Sequence, residues 1–473
     1  MTELAPITHG DPIAPVILGV TSILAFAVIG RVAARKLGQP TVLGELIMGI
    51  LLGNIAWYLG FDLITVLREG PRVFDVVNMT LAGAPIDVVA SSTFGADTAP
   101  EIVRIITGPH GGQVMQVAQI VDAFSRYGVI FMLFMVGLQT NFSEMRVVGA
   151  DSLRVAVIGV VAPVTLGFAV TRLLRPDLSL NSDLFIAATL AATSVGITAT
   201  VLQEMGRDKT RAGHIIIGAA VGDDILGLVL LAVVSGIIVS GSVNITDITT
   251  VIVVSSLFLV AAATLGPVIV RFAASVLGRL DIVEAKMFTS YLFVMLLAWM
   301  ANLAGLATII GAFAAGIVLH DSYFREHAGE KDERVVSIRE LIMPLEVILV
   351  PIFFILIGIQ VKLETFFSWP VVTLAGGLLI VAIIGKLACG LGAFQSRSRW
   401  VIGIGMVPRG EVGLVFAAIG RTLGVIDDSI FAAIALMVIV TTIIAPPWLK
   451  FALARQETPE EPEEPEEPAV NQP

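Results

Sequence analysis

Apolar residues run unbroken for about the thickness of a bilayer again and again along this chain. A membrane core needs about 20 such residues per helix. Thirteen spans are read, at roughly 14–34, 41–59, 119–138, 153–173, 184–203, 213–239, 250–272, 286–304, 306–320, 337–360, 371–393, 400–420 and 429–449. The ninth is short and follows the eighth almost directly. Composition agrees: 14% of the 473 residues are charged, against roughly 25% in soluble chains. Mean hydropathy is +0.92. Solid apolar blocks also argue against a transmembrane barrel, whose strands alternate. The fold class predicted is an all-α polytopic membrane protein.

Positive charge orients it. With the N-terminus outside, the inside loops carry 19 Lys and Arg and the outside loops carry 7. Cytoplasmic loops favour Lys and Arg, so an odd number of spans with the C-terminus inside is expected. The net charge of −10 is no guide to partners, because seven glutamates sit between Gln456 and Pro473. That tail reads as solvated coil, since its Glu-Pro repeats cannot bury a core, and no soluble domain is expected after the last span. Met1 to Gly10 carry no Lys or Arg, so the first span is expected to be retained rather than cleaved. Segment 61–118 is the longest non-spanning region, and one or two surface helices are expected there. Cys389 is alone. It allows no disulfide framework and no cysteine metal site.

Ionisable groups inside spans cost about 2.5–3.5 kcal/mol each on insertion scales, and they mark ion pathways. Here they are Glu45, Asp122, Arg126, Asp223, Asp224, Glu346, Lys386, Arg409 and Glu411. Asp122 and Arg126 have the i, i+4 spacing of a local pair, and Glu45 lies near a span end. Asp223 and Asp224 are different. They are adjacent and well inside the sixth span, and helical neighbours point about 100° apart. Two carboxylates exceed what a polar helix contact needs. Lys386, central in the eleventh span, is the evident counter-charge. Arg409 stays charged and needs an acid partner; Glu346 and Glu411 both qualify, for a structural ion pair. His214, at the inner start of the sixth span, reads as an interfacial histidine.

Two spans look broken, at Ala192–Thr198 and at Gly405–Gly413. Unwound backbone is tolerated in membranes only around a cavity. The breaks lie seven spans apart, an odd number, so their helices run oppositely. Spans 2–6 against 9–13 then fit an inverted repeat with two discontinuous helices meeting at the midplane, the plan of a secondary transporter. A channel would need no buried proton-coupled carboxylate. An intramembrane aspartyl protease needs aspartates from separate helices sharing a proton, which adjacent residues cannot do.

With these residues in hand, the chain resembles the second branch of the monovalent cation:proton antiporter superfamily, which holds bacterial sodium/proton antiporters and relatives of potassium-efflux transporters. The resemblance runs from about Gly38 to Pro447. It is carried by Gly38-Gln39-Pro40-Thr41-Val42-Leu43-Gly44-Glu45, Phe134-Met135-Val136-Gly137-Leu138, Thr193-Ser194, Gly222-Asp223-Asp224, Gly385-Lys386 and Pro408-Arg409-Gly410-Glu411. It implies thirteen helices with two crossing discontinuous ones. It implies scaffold helices 1–3 (residues 1–145, including the insertion) and 8–10 (281–365), a linker helix 7 (246–280), and a core of helices 4–6 (146–245) and 11–13 (366–455), before the 456–473 tail. By the same resemblance Asp224 is the ion-binding carboxylate, Asp223 pairs with Lys386, and Thr193 and Ser194 lie near the ion, with Na+ held at Asp224 and Thr193. The implied activity is exchange of Na+, or Li+, for H+ by a homodimer, with K+/H+ exchange as the alternative. The expected setting is a bacterial plasma membrane, or a thylakoid. Neither an enzymatic activity, a cofactor nor a nucleic-acid partner is expected.

Overall fold

The computed structural model describes residues 11, 13–139, 142–207, 209–240, 245–277, 281–327, 336–394, 396 and 398–455. Its regular secondary structure among these residues is all helical. Ten of the described helices are long and apolar enough to cross a membrane. Each coincides with one of the thirteen spans read from the sequence. The other three spans are the fifth, ninth and twelfth. The fifth and twelfth are each two short helices in series, and the ninth is a single helix of 11 residues.

The chain forms two units, of which the first holds the described residues up to Met135 together with Val336–Leu363. Its helices are α1 (Ala14–Lys36), α2 (Thr41–Tyr58), α3 (Asp62–Glu69), α4 (Arg72–Leu81), α5 (Ile86–Thr107) and most of α6 (Gly111–Gln139). The helix Ile338–Ile359 also belongs here. A capping box opens it, with the Ser337 side chain accepting from Glu340 N and Glu340 accepting from Ser337 N. The predicted local pair Asp122–Arg126 forms within this unit at 2.7 Å, and Glu45, read from the sequence only as lying near a span end, binds Arg31 at 2.7 Å.

The insertion is more ordered than expected. Segment 61–118 holds three helices, α3 to α5, and the first turns of α6. Its apolar residues recur at helical spacing but are too few per turn to read as spans. They bury Ile64, Leu67, Val73, Ile102 and Ile105 in a shared core with α1 and Ile338–Ile359. A polar latch fixes it. The Asn54 amide donates to the carbonyls of Ile50 and Val361 and accepts from Arg68 Nη2 (2.9 Å) and Leu363 N (3.1 Å), which uses all four of its hydrogen-bonding positions. Arg68, counted above as an outer-loop base, is fully buried and stacks on Trp57 at 4.2 Å.

The second unit spans Val136–Val335 and the described residues from Glu364 onward. It comprises α7 (Phe142–Leu174), α8 (Leu180–Thr189), α9 (Val195–Glu204), α10 (Arg211–Ser240), α11 (Ile245–Leu277), α12 (Ile282–Leu303) and α13 (Thr308–Val318). With α14 as the Ile338–Ile359 helix of the first unit, it continues with α15 (Trp369–Cys389), α16 (Arg399–Gly405), α17 (Glu411–Thr422) and α18 (Asp428–Ala454). Helix α7 lies between α10 and α15 and packs closely on both. All the side chains considered next belong to this unit, apart from Glu346.

Candidate ion site at the crossing of two broken helices

The fifth span unwinds over Leu190–Ser194 and the twelfth over Met406–Gly410. The second break falls inside the segment marked at Gly405–Gly413; the first overlaps Ala192–Thr198 but starts two residues earlier, at Leu190. Pro408 has no N–H to offer a helix. Gly410 is required by contact: a Cβ there would sit 2.6 Å from Ser194 Oγ. The two unwound segments can therefore cross only because position 410 has no side chain. They are also bonded directly, Ser194 N donating to Pro408 O at 2.9 Å.

Unwinding strips backbone groups of their helical partners, and buried ones must find others. The two breaks solve this differently. After α8, the carbonyl of Ala191 accepts from Lys386 Nζ at 2.8 Å, and that of Ala192 accepts from Arg409 Nη1. After α16, the carbonyl of Gly405 accepts from Thr198 Oγ1 at 2.6 Å, and that of Met406 from Thr193 Oγ1 at 3.2 Å. The Arg409 carbonyl accepts from Thr442 Oγ1. A helix C-terminus carries partial negative charge. At α8 it is met by two full cations, at α16 by neutral hydroxyls.

Lys386 also binds Asp223 Oδ2 at 2.6 Å, with both side chains fully buried. The pair joins α10 to α15. Asp224, next along α10, is 6% exposed and projects about 100° away. Thr193, Ser194 and Arg409 are likewise buried. The structure thus gathers Asp223, Lys386, Arg409, Thr193 and Ser194 around one crossing, with Asp224 one residue on. Glu346 lies on α14 in the first unit. The side chain of Glu411 lies outside the described residues. Among the described residues the recorded partner of the Arg409 guanidinium is a carbonyl, and no carboxylate lies within ion-pair distance.

Sequence reasoning passed over several participants. The carbonyls of Ala191 and Ala192, and the hydroxyls of Thr198 and Thr442, carry no signal in a span-by-span search for charge. Other buried charges were assigned to loops because they sit at helix ends. Asp183 is fully buried beside Arg172 at 3.0 Å, Arg421 is 3% exposed and bound to Asp428 at 2.7 Å, and Lys286 is 1% exposed and bound to Asp321 at 2.8 Å. Their nearness to predicted span ends was the only available hint.

Residues 99–455 match the family profile described as "Sodium/hydrogen exchanger, transmembrane". The chain belongs to this family. Among curated members it is 34% identical over 474 aligned residues to the high-affinity Na(+)/H(+) antiporter NhaS3 of Synechocystis sp., covering 97% of this chain and 94% of that one. It is 33% identical to the Na(+)/H(+)-K(+) antiporter GerN of Bacillus cereus, over 75% of this chain and 89% of that protein. The sodium proton antiporter MjNhaP1 of Methanocaldococcus jannaschii shares its fold, with a TM-score of 0.62 at 16% identity, covering 94% of this chain and 99% of that one. As a sodium/hydrogen exchanger family member, the protein is an integral, multi-pass membrane protein with an antiporter fold.

Proposed function

We propose that the protein is a secondary active transporter that exchanges Na+, and Li+, for H+ by alternating access, the two ions competing for Asp224. The observation that carries this is the unequal dressing of the two breaks. Two fixed cations occupy the end of α8, which repels a third. The end of α16 offers uncharged oxygens, the Thr193 hydroxyl and the Met406 carbonyl, beside the Asp223–Lys386 pair, and Asp224 is the next residue of α10. A small hard cation takes oxygen ligands. A carboxylate that holds either a proton or Na+ couples the two flows without any further device, because an empty buried charge costs several kcal/mol to carry across. Asp223 and Lys386 form the neighbouring counter-charge pair, and Ser194 holds the crossing together. No chemical transformation of a substrate is involved.

The names of NhaS3 and GerN, both Na+/H+ antiporters, support sodium as cargo. GerN's name also includes potassium, and K+/H+ exchange is the second reading. We assign residues 146–245 and 366–455 to the moving core, 1–145 and 281–365 to a dimer-forming scaffold, and 246–280 to the linker. Loop charge supports an outer N-terminus, in a bacterial plasma membrane by default. The test is proton flux in proteoliposomes driven by sodium, lithium or potassium across pH. Sodium and lithium are expected to drive flux, and Asp224→Asn to reduce it to that of empty liposomes. Substantial flux in Asp224→Asn would overturn the assignment; flux with potassium alone would select the second reading.

A further inference from the structure

The wall behind the Asp223–Lys386 pair is α7, and it is closed almost everywhere by small residues. Ala156 Cβ would stand 3.0 Å from a Cβ at Gly222, and the Pro163 ring lies 2.8 Å from where one at Gly385 would be. Between them sits Gly159, buried, with only a hydrogen facing the pair. A Cβ at Gly159 would stand 3.4 Å from Lys386 Nζ and 3.5 Å from both Asp223 Oδ1 and Cys389 Cβ. That is ordinary contact, so the flank has room for one small group.

Three hydrogen-bonding capacities remain open around this flank. Asp223 Oδ1 is buried and has no hydrogen-bond partner among the described residues. The Lys386 ammonium has three protons and two recorded acceptors, Asp223 Oδ2 and Ala191 O. The third is the carbonyl of Gly159 itself. It lies four residues before Pro163, which sits inside α7 and has no N–H to complete that helical bond. Buried polar groups left over in this way are characteristically bridged by water, which takes two to four polar partners.

We propose that the flank bounded by Gly159 is the seat of one ordered water molecule, held by Asp223 Oδ1, Lys386 Nζ and the Gly159 carbonyl, and that Gly159 is a positioning residue for transport. Its role follows from the low dielectric around the pair. When Asp224, the next residue of α10, changes between its loaded and empty forms, the field on the pair changes and with it the pull between the ammonium and the carboxylate. A water bonded to both lets them part without leaving either bare. The functional half of this inference rests on the antiport reading above; the water site does not.

The experiment compares wild type with Gly159→Ala and Gly159→Ser, each as the full chain in lipid. Gly159→Ala fills the flank with an apolar methyl, without a clash that would prevent folding. It is expected to lower the turnover of sodium-driven proton flux about tenfold while the apparent KM for sodium stays within about twofold. Gly159→Ser adds the same carbon and a hydroxyl, which supplies the lost hydrogen bond, and is expected to be faster than Gly159→Ala. A purely steric role would order them the other way. A map of the wild type that resolves ordered solvent should show density within hydrogen-bonding distance of Asp223 Oδ1 and Lys386 Nζ, absent in Gly159→Ala. Wild-type turnover in Gly159→Ala, a slower Gly159→Ser, or a flank free of density in the wild type would each overturn the proposal. A wild type without cation-dependent proton flux would instead take down the antiport reading, and the density alone would then decide the water site.

Discussion

The two breaks in the second unit expose the same kind of backbone and treat it in opposite ways. Behind α8, the carbonyls of Ala191 and Ala192 are bound by Lys386 and Arg409. Behind α16, those of Gly405 and Met406 are bound by Thr198 and Thr193. An inverted repeat brings two negative half-helix ends to one place, and each by itself would attract a cation. The molecule closes one with charges that cannot leave and dresses the other with hydroxyls that can turn toward an ion. Under the proposed antiport, the difference assigns the transported cation to the α16 end.

Replacing Lys386 strikes the charged end hardest. Lys386→Met frees the Ala191 carbonyl and strips Asp223 of its ion-pair partner, a loss of about 3–5 kcal/mol for a broken buried pair. Thermal unfolding in detergent should show it, and adding Asp223→Leu should restore most of the stability. If Lys386→Met unfolds like the wild type, the cap on α8 is not what holds the crossing. Arg409→Met removes the other cation and leaves no carboxylate bare among the described residues. Its expected cost is smaller, about 1.5–3 kcal/mol for a hydrogen bond from a charged group.

The neutral end should respond in affinity more than in stability. Thr193→Val removes one hydroxyl at a cost of about 1 kcal/mol, and it is expected to raise the apparent KM for sodium about tenfold, which corresponds to about 1.4 kcal/mol. Thr198→Val should cost similar stability and leave that KM unchanged, because its partner is the Gly405 carbonyl, one residue further from the unwound segment. Flux assays on the two variants separate the oxygen that serves the ion from the one that serves the backbone. Equal KM values would merge their roles and blunt the contrast between the ends.

Much of this was legible in the sequence because membranes punish polar groups. Lys386 could be matched to an aspartate pair since a mid-span lysine without a carboxylate is untenable, and the structure places Asp223 at 2.6 Å. The breaks were legible because Pro408, Gly410 and Thr193-Ser194 interrupt apolar runs. The bond from Arg409 to the Ala192 carbonyl was not, because a carbonyl freed by unwinding leaves no mark in residue types. Of the two acids that charge alone offers Arg409, Glu346 lies on α14 and the side chain of Glu411 lies outside the described residues. The ion pairs of Asp183, Arg421 and Lys286 were hidden for another reason. A window that averages hydropathy assigns span ends to loops, although those ends remain buried by neighbouring helices. The insertion was expected to hold one or two helices and holds three: α3 and α4, of 8 and 10 residues, are shorter than any span pattern, and α5, though 22 residues long, is broken up by four charged residues and Pro100.

The account's central claim is that one buried carboxylate, Asp224, holds either Na+ or H+. The most direct test is the apparent KM for sodium in proteoliposomes, measured at several pH values with the wild-type protein. Competition predicts a KM that climbs as pH falls, approaching about tenfold per pH unit for one competing proton, while the maximal rate at saturating sodium is preserved. A KM that stays flat with pH while the maximal rate falls would contradict it, because proton and sodium would then occupy separate sites.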